Sequence, residues 1–265
     1  MDINKNRKGY KCKVYMNRGR FMSEKVKIEL KNQSCFDYLK TIPSKSVDLF
    51  LIDPPYEVSR DTNFAKGPVK GTDVDRFRMS MDFGDWDNSF TGLDIVINEA
   101  YRVLRNGGTL ICFYDLWKLS VLKGYIETAK FKQLRFIEWV KTNPVPINSK
   151  VNYLTNAREI AVVAVKGGKP TFHSEYDNGI YSYPICHDRD RFHPTQKPLA
   201  LIKELIEKHS NEGDTVVDCF SGSGTTAVAS VCLGRHFYGC ELNNEYYNKS
   251  IERLSKYNRD FDFKI

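Results

Sequence analysis

One stretch limits the choice of folds more than any other. Thr215-Val216-Val217-Asp218-Cys219-Phe220 is an apolar run of strand length, Ser221-Gly222-Ser223-Gly224 follows, and Thr225 to Leu233 reads as a buried helix. A strand that passes straight into a helix through a glycine turn opens a βα unit. Such units build parallel sheets covered on both faces. The glycines allow a tight turn and let a ligand approach the backbone. The unpaired N–H groups at the helix start suit an anion. No Lys follows the last glycine, so this is not a Walker loop. Ala227 stands where a dinucleotide loop has its third glycine. That loop tolerates Ala, so this stretch alone leaves a dinucleotide site open.

The same alternation runs along the rest of the chain. Val26-Lys27-Ile28-Glu29-Leu30 alternates apolar and polar residues, a strand signal. Val47 to Ile52 is an apolar run that ends at Asp53-Pro54-Pro55-Tyr56, where two prolines force the chain out of the sheet. Leu93, Val96, Ile97, Ala100, Val103 and Leu104 recur at helical spacing, and Asn106-Gly107-Gly108 reads as the stop of that helix. Thr109 to Tyr114 reads as a buried strand, with a weaker helix over 116–129 and strands over 134–140 and 159–165. After Pro198 a helix turns Leu199, Ile202, Leu205 and Ile206 inward. His236 to Leu242 reads as the last strand and 244–256 as the last helix. The expected fold is α/β: a mostly parallel sheet in a three-layer αβα sandwich, one domain over residues 22–265. Residues 57–90 are polar and aperiodic, which at that length predicts a functional or mobile loop. Residues 169–192 also lack a core pattern.

Charge adds a second constraint. The formal net charge is +7, and residues 1–31 alone hold ten Lys or Arg against three acids. The whole excess therefore sits at the N-terminal end. Residues 1–21 read as a basic extension, available for phosphate contacts or as a dispensable leader. Met22, just before the first patterned strand, is a candidate second start. No apolar segment follows the early charges, and no run reaches membrane-spanning length, so the expectation is a cytoplasmic protein. Seven scattered cysteines without a C-x-x-C pair signal neither a disulfide framework nor a zinc site, and no metal is expected.

Two further features carry chemistry. Glu241 ends the strand after the glycine loop, one βα unit on, where an acid accepts hydrogen bonds from ribose hydroxyls. In Asp53-Pro54-Pro55-Tyr56 the stiff turn holds one carboxylate, prolyl carbonyls and an aromatic ring in fixed relation. Those groups can grip a planar amine, with acceptors for its two N–H bonds and a ring for its face.

Together with Phe220-Ser221-Gly222-Ser223-Gly224, that tetrapeptide resembles the amino-methyltransferases of DNA, which use S-adenosylmethionine. The tetrapeptide comes before the glycine loop, similar to the β group, whose Rossmann-like sheet is circularly permuted. His193-Pro194-Thr195-Gln196-Lys197-Pro198, Trp139-Val140-Lys141-Thr142-Asn143-Pro144 and Gly84-Asp85-Trp86-Asp87 match the same group, and the likeness runs over roughly 26–256. The resemblance implies base flipping, with Tyr56 stacked on the target and Asp53 and Pro54 accepting the amine hydrogens. Pro55 completes the catalytic turn. It implies a cofactor set of Ser34, Cys35, Phe36, Asp53, Thr195, Lys197, Asp218, Phe220, Ser221, Gly222, Gly224, Thr225, Thr226, Glu241 and Leu242. Within it, Thr225 and Lys197 hold the cofactor's carboxylate, Glu241 its ribose, and Ser34 its adenine.

Asp at the first position resembles the N6-adenine enzymes, and Ser there the N4-cytosine enzymes, which remain the alternative. Partners implied are DNA, double-stranded, with a second copy of the chain and a cognate restriction endonuclease as further candidates. Segments 169–192 and 57–90 are the candidate target-recognition parts, with Arg189, Arg191, Lys66, Lys70, Arg76 and Arg78 as phosphate or guanine contacts. A nicotinamide dehydrogenase explains the glycine loop but not the tetrapeptide or the His193–Pro198 run.

Overall fold

The structure, a computed structural model, describes residues 26–55, 90–144, 154–186, 191–257 and 262–264. Nine strands form one sheet: β1 (Lys27–Asn32), β2 (Val47–Ile52), β3 (Leu104–Tyr114), β4 (Lys132–Lys141), β5 (Arg158–Val165), β6 (Ile180–Tyr183), β7 (Thr215–Asp218), β8 (His236–Glu241) and β9 (Asp262–Lys264). Among the described residues six helices cover it: α1 (Cys35–Thr41), α2 (Leu93–Val103), α3 (Leu119–Thr128, after a 3-10 turn), α4 (Leu199–His209), α5 (Thr225–Cys232) and α6 (Asn244–Ser255).

The strand order is β6-β4-β5-β3-β2-β7-β8-β1-β9. Every neighbouring pair is parallel except those made by β5, which runs antiparallel to both β3 and β4. The expected mostly parallel, three-layer sheet is the observed one. Side chains on successive strand residues point to opposite faces, and the core divides accordingly. Phe50, Ile52, Leu110, Cys112, Val162 and Val217 pack with α1, α2 and α3. Leu49, Leu51, Ile111, Phe113, Val163 and Val216 pack with α4, and α5 and α6 close over β1 and β8. Strands buried on both faces explain the unbroken apolar runs in the sequence.

Three sequence expectations are corrected. Asn106-Gly107-Gly108 does not stop α2. That helix ends at Leu104, whose N–H reaches Ala100 O while its own backbone is already extended. The glycine pair instead forms a bulge inside β3, where the register against β2 slips between Val47 and Leu49. Gly107 has φ +81, and a Cβ there would stand 2.5 Å from Lys169 O, so only glycine fits. Residues 169–192 contain an edge strand, β6, parallel to β4. Its four residues are too few to show a period. Beyond the presumed last helix, three residues form β9 beside β1.

Candidate active site

The C-terminal ends of β1, β8, β7 and β2 lie side by side: Asn32 is level with Glu241, and Asp218 with Gly239. In a parallel sheet this edge is where ligands bind. A cavity of about 590 Å³ opens there. It is lined by Asp53, Pro54, Pro55, Ser34, Cys35, Phe36, Thr195, Lys197, Asp218, Phe220, Ser221, Gly222, Thr225, Thr226, Glu241 and Leu242. Of the expected site residues that the structure describes, only Gly224 is absent from its wall. Gly224, at φ +68, caps α5. Tyr56 lies outside the described residues, as do Gly84–Asp87, Lys66, Lys70, Arg76, Arg78 and Arg189.

One half of the cavity is backbone held by neutral and single-charge hydrogen bonds. The Gly222 N–H donates to Glu241 Oε2 at 2.7 Å, and Asn243 N–H to Glu241 Oε1 at 2.8 Å. Glu241 thus ties the glycine loop to the end of β8, a role its expected ribose contact did not suggest. Phe220 N–H donates to Asp218 Oδ1 at 3.0 Å. From α6, the Ser250 hydroxyl donates to Gly222 O at 2.7 Å, and Arg253 Nη1 reaches Ser223 O and Thr225 Oγ1, each at 2.9 Å. Ser34 Oγ caps α1 by accepting from Phe36 N–H at 3.2 Å. Phe36 stacks on Phe90, which meets Phe220 edge-on, so three rings wall one side.

The other half is ionic. Asp53, at the end of β2, accepts a hydrogen bond from Lys197 Nζ. Lys197 Nζ also stands 3.0 Å from Glu159 Oε2, an ion pair. Lys141 Nζ stands 2.8 Å from Glu159 Oε1. Carboxylate and ammonium therefore alternate: Asp53, Lys197, Glu159, Lys141. Lys197 was expected on the cofactor's carboxylate; its ammonium here meets two carboxylates of the protein. Burial works against its charge, but Asp53 and Glu159 outweigh that and push its pKa up. Burial would raise the Glu159 carboxyl, yet Lys197 and Lys141 hold it below the usual range.

Two more groups are shifted mainly by burial. Asp218 is pushed up to about 7, with Asp53 and Glu241 adding to the burial effect and bonds from Thr226 and Phe220 opposing it. His193 is pushed down to about 4 by burial, then by Lys197 and Arg191. Its Nδ1 accepts from Thr195 N–H at 3.4 Å, which puts the ring proton on Nε2, facing Gly222. Arg191 is turned onto the Pro194 carbonyl.

Sequence reasoning missed Phe90, Glu159, Ser250 and Arg253. The last two sit one turn apart on the buried stripe of α6, beside Leu254, where an inward Arg is itself a signal. Glu159 carried none.

A family model described as DNA methylase, for the N6 and N4 enzymes, matches residues 47–252. The chain belongs to that family. It is a DNA methyltransferase. The chain is similar to the type II methyltransferase M2.DpnII of Streptococcus pneumoniae, 31% identical over 256 residues, 88% of this chain and 92% of that one. M2.MboI of Moraxella bovis is 28% identical over 253 residues, 88% of this chain and 89% of that one. Among solved structures, the M1.HpyAVI–SAM complex superposes with a TM-score of 0.64 at 27% identity, covering 86% of this methyltransferase and all of that chain. The cytosine-N4-specific PvuII methyltransferase superposes at 0.62 with 16% identity, over 89% of this chain and 94% of that one, a likeness of fold. S-adenosylmethionine is the methyl donor of this enzyme, and the cavity fits it. A glycine loop that admits a backbone approach, two carboxylates and a wall of rings suit an aminoacyl group, a ribose and an adenine. No helix among the described residues is long and apolar enough to cross a membrane. No group of three or more His, Cys, Asp or Glu among them could hold a metal ion.

Proposed function

We propose that this methyltransferase acts on the N6 amine of adenine, and that Asp53, Pro54, Pro55 and Tyr56 receive that amine. One observation carries the reading: Asp53 opens into the same cavity as the glycine loop, although the two lie far apart in sequence. The exocyclic amine of a paired base is inaccessible, so the base must leave the duplex. Tyr56 stacks on it. The Asp53 carboxylate and the Pro54 carbonyl each accept one N–H of the amine. Holding both hydrogens in those directions draws the nitrogen lone pair out of conjugation with the ring and aims it across the cavity. S-adenosylmethionine, when bound, supplies an electrophilic methyl group on a sulfonium. As the amine gains positive charge, the fixed acceptors stabilise it and positioning does the rest. The nitrogen–methyl bond forms as the methyl–sulfur bond breaks, and the nitrogen then gives one proton to solvent.

In the cofactor half, Glu241 accepts from the ribose, and Thr225 with Thr195 meets the carboxylate. Asp218 and the loop residues Ser221, Gly222, Gly224 and Thr226 shape the aminoacyl end. Ser34, Cys35, Phe36, Phe220 and Leu242 enclose the adenosine. Target recognition falls to 57–90 and 169–192. Within the latter, Lys208 on α4 pins Asp177 at 2.8 Å and leaves Tyr176 fully exposed toward a partner. We place the enzyme in the cytosol, with its DNA. A second copy would cover the exposed Leu116, Trp117 and Val121. A cognate endonuclease belongs with a type II enzyme.

Mass spectrometry of nucleosides from methylated DNA tests the choice of base. N6-methyladenine is the expected product, and N4-methylcytosine would overturn the reading. Sedimentation of the purified protein tests the dimer, with a monomer at micromolar concentration removing it.

A further inference from the structure

We infer that Glu159 is a positioning residue for methyl transfer: it steadies the Lys197 ammonium against Asp53. The inference rests on Asp53 being the group that receives the amine.

The fold explains why Glu159 is there. Every other strand of the sheet presents its C-terminal end at the cavity edge. Strand β5 alone is reversed, so its start arrives there instead: Glu159 is level with Trp139 of β4, and Ile160 with Tyr114 of β3. The reversal delivers a second carboxylate to the sheet edge where Asp53 stands, with Lys197 meeting both.

Charge then decides what the carboxylate does. The Lys197 side chain is only 7% exposed. A cation so placed needs anions nearby. With Asp53 as its sole counter-ion, Lys197 would draw the full negative charge of Asp53 to itself. Asp53 would then be a weak acceptor for the amine. Glu159 shares the cation, so that Asp53 keeps acceptor strength while Lys197 still fixes its orientation. Lys141 balances Glu159 from behind and keeps the row neutral. Lys197 Nζ meets both carboxylates at once, Asp53 and Glu159.

The test compares Glu159→Gln, which keeps the shape and removes the charge, with Glu159→Asp. Single-turnover methyl transfer and cofactor affinity are measured on the full-length protein. The expected result for Glu159→Gln is a rate loss of about tenfold or more with cofactor affinity within about twofold, and Glu159→Asp recovers most of the rate. In a Lys197→Gln background, adding Glu159→Gln costs less than about twofold, because its effect passes through Lys197. A wild-type rate in folded Glu159→Gln overturns the inference, as does a matching loss of cofactor affinity or full multiplication of the two losses. Should Glu159→Gln fail to fold, Lys141→Gln disturbs the same row from its outer end. It is expected to slow transfer about threefold at unchanged affinity, and a wild-type rate overturns the inference. Asp53→Ala is run alongside. An active Asp53→Ala removes the underlying reading, whereas an inactive one beside a wild-type Glu159→Gln removes the role of Glu159 alone.

Discussion

The two halves of the cavity are built by different means. The cofactor half is a loop whose shape comes from glycine conformation, backbone N–H groups and fastening from α6. The catalytic half is a row of four alternating charges drawn from the end of β2, the segment before α4, and strands β5 and β4. The ties of that loop, to Asp218, Glu241, Ser250 and Arg253, all lie on the cofactor side. A charge row is sensitive to each member, because removing one leaves its neighbour buried and unbalanced. The comparison implies that lesions in the first half weaken binding and lesions in the second slow chemistry.

Asp53→Ala is the strongest way to break that division. Methyl transfer should fall by about a thousandfold or more, with cofactor affinity changed only a few-fold. Radiolabel transfer and calorimetric titration on one preparation would show it, and a parallel loss of affinity would join the two halves. Arg253→Met should do the reverse. It removes the guanidinium that donates to Ser223 O and Thr225 Oγ1, at a cost of about 1–3 kcal/mol. Cofactor KM should rise about tenfold while kcat at saturation stays within about threefold.

Gly239→Ala sharpens the comparison. A Cβ at that position would meet Asp218 O at 2.6 Å and Ser221 Oγ at 2.7 Å. Overpacking there should cost about 1–3 kcal/mol in a denaturant titration, and it should lower cofactor affinity more than the catalytic rate. The smallest effect concerns pH. The Asp218 carboxyl is raised to about 7 in the fold, against 3.8 as its ordinary value. Between those values the folded protein keeps a proton that the unfolded chain has lost. This contribution is complete below about pH 4 and is lost as pH rises through 7. Asp218→Asn should therefore gain Tm relative to wild type by a few °C between pH 5 and pH 8 in cofactor-free protein. An identical difference at both pH values would remove this assignment.

The same contrast explains what could be read in advance. The glycine loop, Glu241 and the Asp53 tetrapeptide are local patterns: a strand end, a turn, a fixed offset. The described part of each, Asp53-Pro54-Pro55 for the tetrapeptide, follows the strand end that its pattern gave it. Lys197 was visible too, as part of the His193–Pro198 run, but its partners were not. Glu159 reaches the site only because β5 is reversed, and strand direction leaves no mark on an apolar run. Asn106-Gly107-Gly108 misled for a related reason. A glycine that ends a helix and one that makes room for a bulge against Lys169 look alike in sequence. Strands β6 and β9 are too short to announce themselves. The buried Arg253 was in principle legible, since an arginine on the inward stripe of an amphipathic helix needs partners.

The strand order also sets a timetable for synthesis. Strand β1 is complete at Asn32, but neither of its neighbours begins before His236. At translation speeds on the order of 5–20 residues per second, that strand waits roughly ten to forty seconds for a partner. Through that interval the nascent chain carries an unpaired apolar edge, the kind of surface that chaperones hold. The methylating centre, whose glycine loop is also made after β1 to β6, comes into being only once those residues have been added. A truncated product of this gene would therefore be a client of the folding machinery and not a partly active enzyme.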